Sequence, residues 1–260
     1  MSRVLVPLPT IWKLKRLLCI GSEKRLKEAI RTIDQFAFEI IRSKEEESTV
    51  PSVNSEEKLD LLSRFMRSNV ELEFKTPEER RKFYRDIIVS FILAGKDSTL
   101  VAFTWFFWFI SGHRHCERQI YEEISAATAA RSSGERNLNY DDLKSFNYLH
   151  AALSESLRLF PPVPGNSRLA VNDDTLPDGT RIRGGWVVDY SIYAMGRMEK
   201  VWGSDCLEFR PQRWLDGERN FQVCEQFKYP VFHGGPRICL GKDMAYVQMK
   251  VVVVSCALSL

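Results

Sequence analysis

Apolar side chains recur at helical spacing through residues 11–42, at Leu14, Leu17 and Leu18 and then at Leu26, Ile30, Ile33, Ala37 and Ile40, with Gly21 between the groups. This pattern predicts two amphipathic helices separated at the glycine. Residues 43–57 are polar and charged around Pro51 and read as a mobile surface linker, followed by a short helix near Leu59 to Met66. Thr76-Pro77-Glu78-Glu79 supplies a capping hydroxyl, proline at the first helical position and glutamate three residues after the cap. A long helix is predicted from Pro77 to about Ile110. Its second half is apolar nearly all round, so it is expected to cross the middle of the protein. Helices are also read at 113–130 and 141–159, the second stopped by Pro161-Pro162. Extended segments follow at Arg168 to Val171 and Thr180 to Tyr190, around a turn at Asp178-Gly179. Residues 198–231 are rich in glycine, proline and aromatics without a clear period. The whole reads as mainly α with a small β-sheet.

Composition removes some functions from this picture. A chain of 260 residues with 44% hydrophobic side chains can bury a sizeable core. The charge balance, 37 basic against 34 acidic side chains or +3, is too mild for a nucleic-acid binder. The longest strongly apolar run, Val101 to Ile110, is half of the about 20 residues that a membrane-spanning helix needs, so no segment clearly spans a bilayer. Residues 1–10 lack the basic-then-apolar layout of a signal peptide or anchor. Six scattered cysteines with no secretory signal before them suit reduced thiols better than a disulfide framework. A zinc site from Cys224, His233 and Cys239 is conceivable, although no Cys-x-x-Cys pair supports it.

The stretch richest in chemistry is Phe232-His233-Gly234-Gly235-Pro236-Arg237-Ile238-Cys239-Leu240-Gly241, which sets one cysteine in a glycine-rich loop opening into a helix. Such a position favours the ionised, metal-binding form of a thiol, because the positive end of the helix and its free N–H groups lie close by. Gly235 and Gly241 permit unusual backbone angles and let the chain lie flat against a planar ligand. Arg237 can pair with a carboxylate on that ligand. The run matches Phe-x-x-Gly-x-Arg-x-Cys-x-Gly at all five fixed positions and resembles the haem-binding loop of cytochrome P-450 monooxygenases.

Three further segments are similar to that family in the same order. Ala94-Gly95-Lys96-Asp97-Ser98-Thr99 puts polar residues inside the apolar long helix, where hydroxyls can bond to preceding carbonyls and Gly95 lets the helix deform. It resembles the oxygen-activating segment, and the resemblance implies that Asp97, Ser98 and Thr99 serve proton delivery while Ala94 and Gly95 border the cofactor. Serine at 98 replaces the usual threonine, keeping the hydroxyl but freeing its rotation. Glu155-Ser156-Leu157-Arg158 places opposite charges on one helix face and, followed by Leu159-Phe160-Pro161-Pro162, resembles the family's Glu-x-x-Arg helix. Its implied partner is Arg213 in Phe209-Arg210-Pro211-Gln212-Arg213-Trp214, giving a structural triad of Glu155, Arg158 and Arg213. The aromatic run 105–109 reads as plain core, and His233 occupies a variable position suited to packing. Lys228 and Lys242 flank the cysteine loop and could meet an acidic electron donor.

The resemblance covers the chain from roughly Ile11 onward and implies the C-terminal half of a cytochrome P-450 fold, family members being nearly twice this length. It implies haem b with Cys239 as the metal ligand and Phe232, Gly235, Arg237 and Gly241 around the cofactor. It further implies O2 as oxidant, electrons from NADPH through a flavoprotein reductase, no nucleic-acid partner, and the cytosolic face of the endoplasmic reticulum membrane. Phrases such as Phe91-Ile92-Leu93-Ala94-Gly95, Tyr193-Ala194-Met195-Gly196-Arg197-Met198 and Tyr229-Pro230-Val231-Phe232 look most like plant fatty-acid omega-hydroxylases, of the branch acting on fatty acids and jasmonoyl-amino acids. An acyl substrate is then expected beside Val163, Pro164 and Gly165. Two other classes stay open: a non-catalytic remnant, and a haem-thiolate isomerase or lyase acting on fatty-acid hydroperoxides, against which the Asp97-Ser98-Thr99 segment argues.

Overall fold

The computed structural model describes residues 13, 15–49, 60–67, 74–129 and 139–259. Met1 to Thr10, Leu14, residues 50–57 of the expected linker and Leu59 lie outside them. The chain divides into two compact units, residues 1–94 and 95–260.

In the first unit, Gly21 with φ +59° opens helix α1 (Gly21–Thr49), as its place between the two apolar groups predicts. α1 runs on through residues 43–49, which the sequence reading gave to a linker. Lys44 and Glu45 to Glu47 are good helix formers and find ionic partners there. The Lys44 ammonium reaches Glu47 at 2.7 Å and Asp60 at 2.8 Å, and Arg81 meets Glu45 at 2.7 Å. Ala37, Ile41 and Tyr84 are buried. Helix α2 (Leu61–Arg67) follows. Helix α3 (Pro77–Gly112) starts where the capping signal places it, the Thr76 hydroxyl accepting the Glu79 N–H at 3.1 Å.

In the second unit, the C-terminal part of α3, helices α4 (Arg114–Ala129), α5 (Tyr140–Ser145) and α6 (Asn147–Leu159), and helix α9 (Lys242–Ser259) share one core around Phe106, Ile124, Leu149, Leu153 and Met249. α3 departs from the expectation of a buried central helix: Leu93, Leu100 and Trp108 are exposed, while Ala102 and Phe106 are buried. The core cluster takes up one stripe of a helix that is apolar on several sides. By length and composition alone α3 is also apolar enough to cross a membrane, its apolar window extending past the run 101–110, and 11% of that window is buried.

The single helix expected at 141–159 is broken at Phe146, the last cap of α5 and first cap of α6. Two distant charges clamp the break. The Glu123 carboxylate accepts the N–H groups of Tyr148 and Leu149 at 2.8 and 2.9 Å, answering the positive start of α6. The Lys250 ammonium donates to the carbonyls of Leu143 and Phe146 at 2.6 and 3.0 Å, answering the negative end of α5.

Instead of one sheet the described residues form two antiparallel ribbons. β1 (Asn166–Leu169) pairs with β4 (Val187–Tyr190), with Asn166 opposite Tyr190 and Leu169 opposite Val187. β2 (Asp174–Thr175) pairs with β3 (Arg181–Ile182), with Asp174 opposite Ile182. The expected turn closes this second ribbon: Gly179 has φ +88° and Asp178 Oδ1 accepts the Thr180 N–H at 2.9 Å. Short helices α7 (Ile192–Met195) and α8 (Glu199–Trp202) and the 3-10 turn Pro211–Trp214 lead to the cysteine loop.

Candidate functional site

The site is built on α6. Every side chain from Ala151 to Leu159 is buried, which forces Glu155 and Arg158 to find partners inside the protein. Glu155 Oε2 and Oε1 each accept from Arg158, at 2.8 Å through Nε and 2.8 Å through Nη2. The same carboxylate accepts Arg213 Nε at 2.8 Å, Trp214 Nε1 at 2.8 Å and the Arg210 N–H at 3.0 Å. The structure therefore brings Glu155, Arg158 and Arg213 together. It adds Trp214 and the Arg210 backbone, which no spacing signal indicated, because residues 198–231 carry no period. Burial works against the Arg213 cation, yet the Glu155 and Asp205 carboxylates outweigh it and hold its pKa above the usual arginine value.

Arg158 extends the hub outward. Its Nη1 donates to the carbonyls of Gly196 and, at 2.7 Å, Cys206, and Nη2 donates to Glu208 O at 3.1 Å. A Cβ at Gly196 would lie 2.2 Å from the Arg158 carbonyl oxygen, so the close approach of the two backbones requires glycine there.

The loop 232–241 is formed by two short 3-10 turns, Pro230–Phe232 and Gly235–Arg237. His233 (φ +60°) and Gly235 (φ +63°) reverse the chain between them. The Cys239 N–H returns to Phe232 O at 2.8 Å and closes the loop, and α9 begins three residues later. Cys239 is exposed, and a Cβ at Gly241 would lie 3.9 Å from its sulfur. Arg237 is exposed beside it. His233 accepts from Asn166 Nδ2 at 3.2 Å through Nδ1, a packing role that ties β1 to the loop. The zinc alternative fails: among the described residues no three His, Cys, Asp or Glu side chains gather as a metal site, and Cys224, His233 and Cys239 are all described.

A second network, also unforeseen, braces the loop against α6 and α9. The hydroxyls of Ser154 and Tyr246 meet at 2.9 Å, Tyr229 Oη donates to Ser154 O at 3.2 Å, and the Tyr246 ring centroid lies 5.4 Å from that of Phe232. Burial, reinforced between the neighbouring phenols, keeps Tyr229 protonated well above the ordinary tyrosine range. The signal available in the sequence was a tyrosine, Tyr246, interrupting the apolar face of the last helix.

The remaining predicted residues stand as follows. Asp97, Gly95 and Ala94 are exposed and Ser98 and Thr99 half-buried, so the burial expected of this segment is not found. α3 runs through it unbroken, and a Cβ at Gly95 would meet nothing within 4 Å. Val163, Pro164 and Gly165 are exposed in the connection from α6 to β1. The Lys228 ammonium sits over the Trp202 ring at 4.8 Å.

An accessible thiol on a glycine-hinged loop with an adjacent arginine suits a planar iron-porphyrin with carboxylate side arms. Comparison with known proteins gives the same direction. The family model for cytochrome P450 matches residues 1–257. Cytochrome P450 94A2 of Vicia sativa is 45% identical over 251 residues, covering 95% of this chain and 46% of that protein. Cytochrome P450 94A1 of the same plant is 46% identical over 257 residues, 97% of this chain and 47% of its own length. Cytochrome P450 94C1 of Arabidopsis thaliana is 42% identical over 254 residues, 98% and 48% respectively. The chain spans about half the length of the curated relatives it matches. The mainly helical fold, the hub on α6 and the cysteine loop thus have one common explanation: the chain belongs to the cytochrome P450 family.

Proposed function

We propose that this chain carries the haem-thiolate part of a monooxygenase that inserts one atom of O2 into a C–H bond, at the omega end of a fatty acid or a fatty-acid-derived substrate. The observation that carries this reading is the exposed Cys239 thiol, fixed by its N–H to Phe232 O and anchored through Tyr229 and Tyr246 to the helix bearing Glu155. Cys239 Sγ would hold the iron, Arg237 would pair with a haem carboxylate, and Phe232, Gly235 and Gly241 would form the wall beside the ring. Bound in this way, haem b supplies the reduction of O2 and the attack on the C–H bond, with electrons from NADPH passed on by a flavoprotein reductase.

The chain's own residues hold and feed that group. Asp97, exposed, and Ser98 and Thr99, half-buried, would serve proton delivery to that group. Val163, Pro164 and Gly165 border the acyl chain. Association with the endoplasmic reticulum membrane rests on the family likeness alone. The fatty-acid assignment rests on the phrases at 91–95, 193–198 and 229–232 and on the likeness to the 94-series plant proteins.

The test is turnover of lauric acid by the haem-loaded protein with NADPH and a plant flavoprotein reductase. Omega-hydroxylated product that disappears in Cys239→Ala is expected. Product formed equally by Cys239→Ala, or turnover of a fatty-acid hydroperoxide without NADPH in place of hydroxylation, would contradict it.

A further inference from the structure

A cavity of about 400 Å³ lies among α5, α6, α9 and the segment 214–229; Trp214, Tyr229 and Tyr246 in its wall brace the hub and the cysteine loop, and the rest of its lining has no part in the proposed oxygen chemistry. Its walls are of two kinds. One is aromatic: His150 lies between Tyr246, on which it stacks, and Phe221, against which it is tilted, each 4.1 Å away by ring centroids, and Trp214 continues this wall. The other is cationic: Lys144, Lys242 and Lys250 line the same space, against a single lining carboxylate, Asp243. Lys250 is buried, and two of its three ammonium donors go to Leu143 O and Phe146 O. Carbonyl dipoles satisfy hydrogen bonds without neutralising a charge, so a buried ammonium bonded to them, with the Glu123 carboxylate as its one electrostatic counterweight, still favours an anion in the cavity.

Burial draws the Lys250 pKa down to about 8, with Glu123 offsetting only part of the cost. Burial together with the Lys250 and Lys242 charges pushes His150 down to about 3, so its ring is neutral. The volume falls at the small end of ligand pockets, enough for a one- or two-ring molecule.

We propose that this cavity binds a small aromatic organic anion, its carboxylate held by Lys242 and Lys250 with Lys144 at the rim, and its ring against His150, Phe221 and Trp214. The cationic wall selects the charge and the aromatic wall the body. This site is independent of the haem-thiolate reading, and binding is expected whether or not haem is loaded.

The experiment is titration calorimetry of the full chain with naphthalene-2-carboxylate, using naphthalene-2-carboxamide and acetate as probes that each lack one half of the recognition. One saturable site is expected, with the carboxylate at least tenfold tighter than either control. The double variant Lys144→Gln/Lys242→Gln should weaken it at least tenfold with helical content by circular dichroism unchanged, and Lys250→Met should abolish it. Because Lys250 also caps α5, the double variant decides the matter if Lys250→Met unfolds. Lys200→Gln, on α8 and outside the lining, should bind as wild type. Equal affinity for carboxylate and carboxamide, no saturable site, unchanged affinity in the double variant, or loss of binding in Lys200→Gln would each overturn the assignment.

Discussion

The hub at Glu155 and the loop at Cys239 are opposites in construction. Glu155 and Arg158 are fully buried, and the carboxylate takes donors from Arg158, Arg210, Arg213 and Trp214. Cys239 is exposed at the end of a loop shaped by positive backbone angles and closed by one hydrogen bond to Phe232. The hub is complete within the chain, whereas the loop presents chemistry outward. Rigidity and reactivity are thereby separated: a buried ionic cluster fixes the backbone, and the thiol it supports stays accessible to a ligand.

Removing the hub's carboxylate should produce the largest effect. Glu155→Ala leaves the Arg158 cation buried without its counter-charge and is expected to cost about 3–5 kcal/mol, read from denaturant midpoints, and to prevent haem incorporation. Near-normal stability with normal haem content would mean that the hub does not support the loop. Next is Gly196→Ala, whose Cβ meets the Arg158 carbonyl at 2.2 Å and should cost up to about 3 kcal/mol.

His150 lies between the two regions, stacked on the Tyr246 ring that also faces Phe232. Burial and the two neighbouring lysines lower its pKa from 6.5 to about 3 in the folded protein. Between these values the unfolded chain binds the proton and the folded protein does not, so this stability is full above pH 6.5 and is lost as pH falls toward 3. His150→Phe should remove roughly 2 kcal/mol of that acid dependence, as followed by denaturation at pH 7 and pH 4. An unchanged slope would place the imidazole in water.

Gly235→Ala should cost only about 1 kcal/mol, from its φ of +63°, since nothing lies within 4 Å of the added Cβ. A cost equal to that of Gly196→Ala would show the loop to be as tightly packed as the hub. Smallest of all, Cys239→Ala should change stability by less than about 0.5 kcal/mol, because the side chain is exposed.

The same contrast governs what could be read from residues alone. Glu155 and Arg158 were legible because a helix puts i and i+3 on one face, and the cysteine loop because its glycines and cysteine have fixed spacing. Trp214, the Arg210 N–H and Gly196 were not, since aperiodic chain delivers them to the hub. The break at Phe146 was equally hidden: its cause is Glu123 and Lys250, which lie far away in sequence from the carbonyls and N–H groups they bind. Residues 43–49 read as linker because polarity was weighed above the helix preference of glutamate and lysine. The exposure of α3 had no sequence signal, as an apolar helix reads alike whether it is covered or not.

The most direct test of the account is hemin titration of the purified protein followed by reduction under carbon monoxide, comparing wild type with Cys239→Ala. Wild type should give the thiolate-type absorption band and the variant none, at equal folded content. A band of the same position in both proteins, or a wild-type protein that stays colourless with hemin, would contradict the assignment of the Cys239 sulfur as the iron ligand.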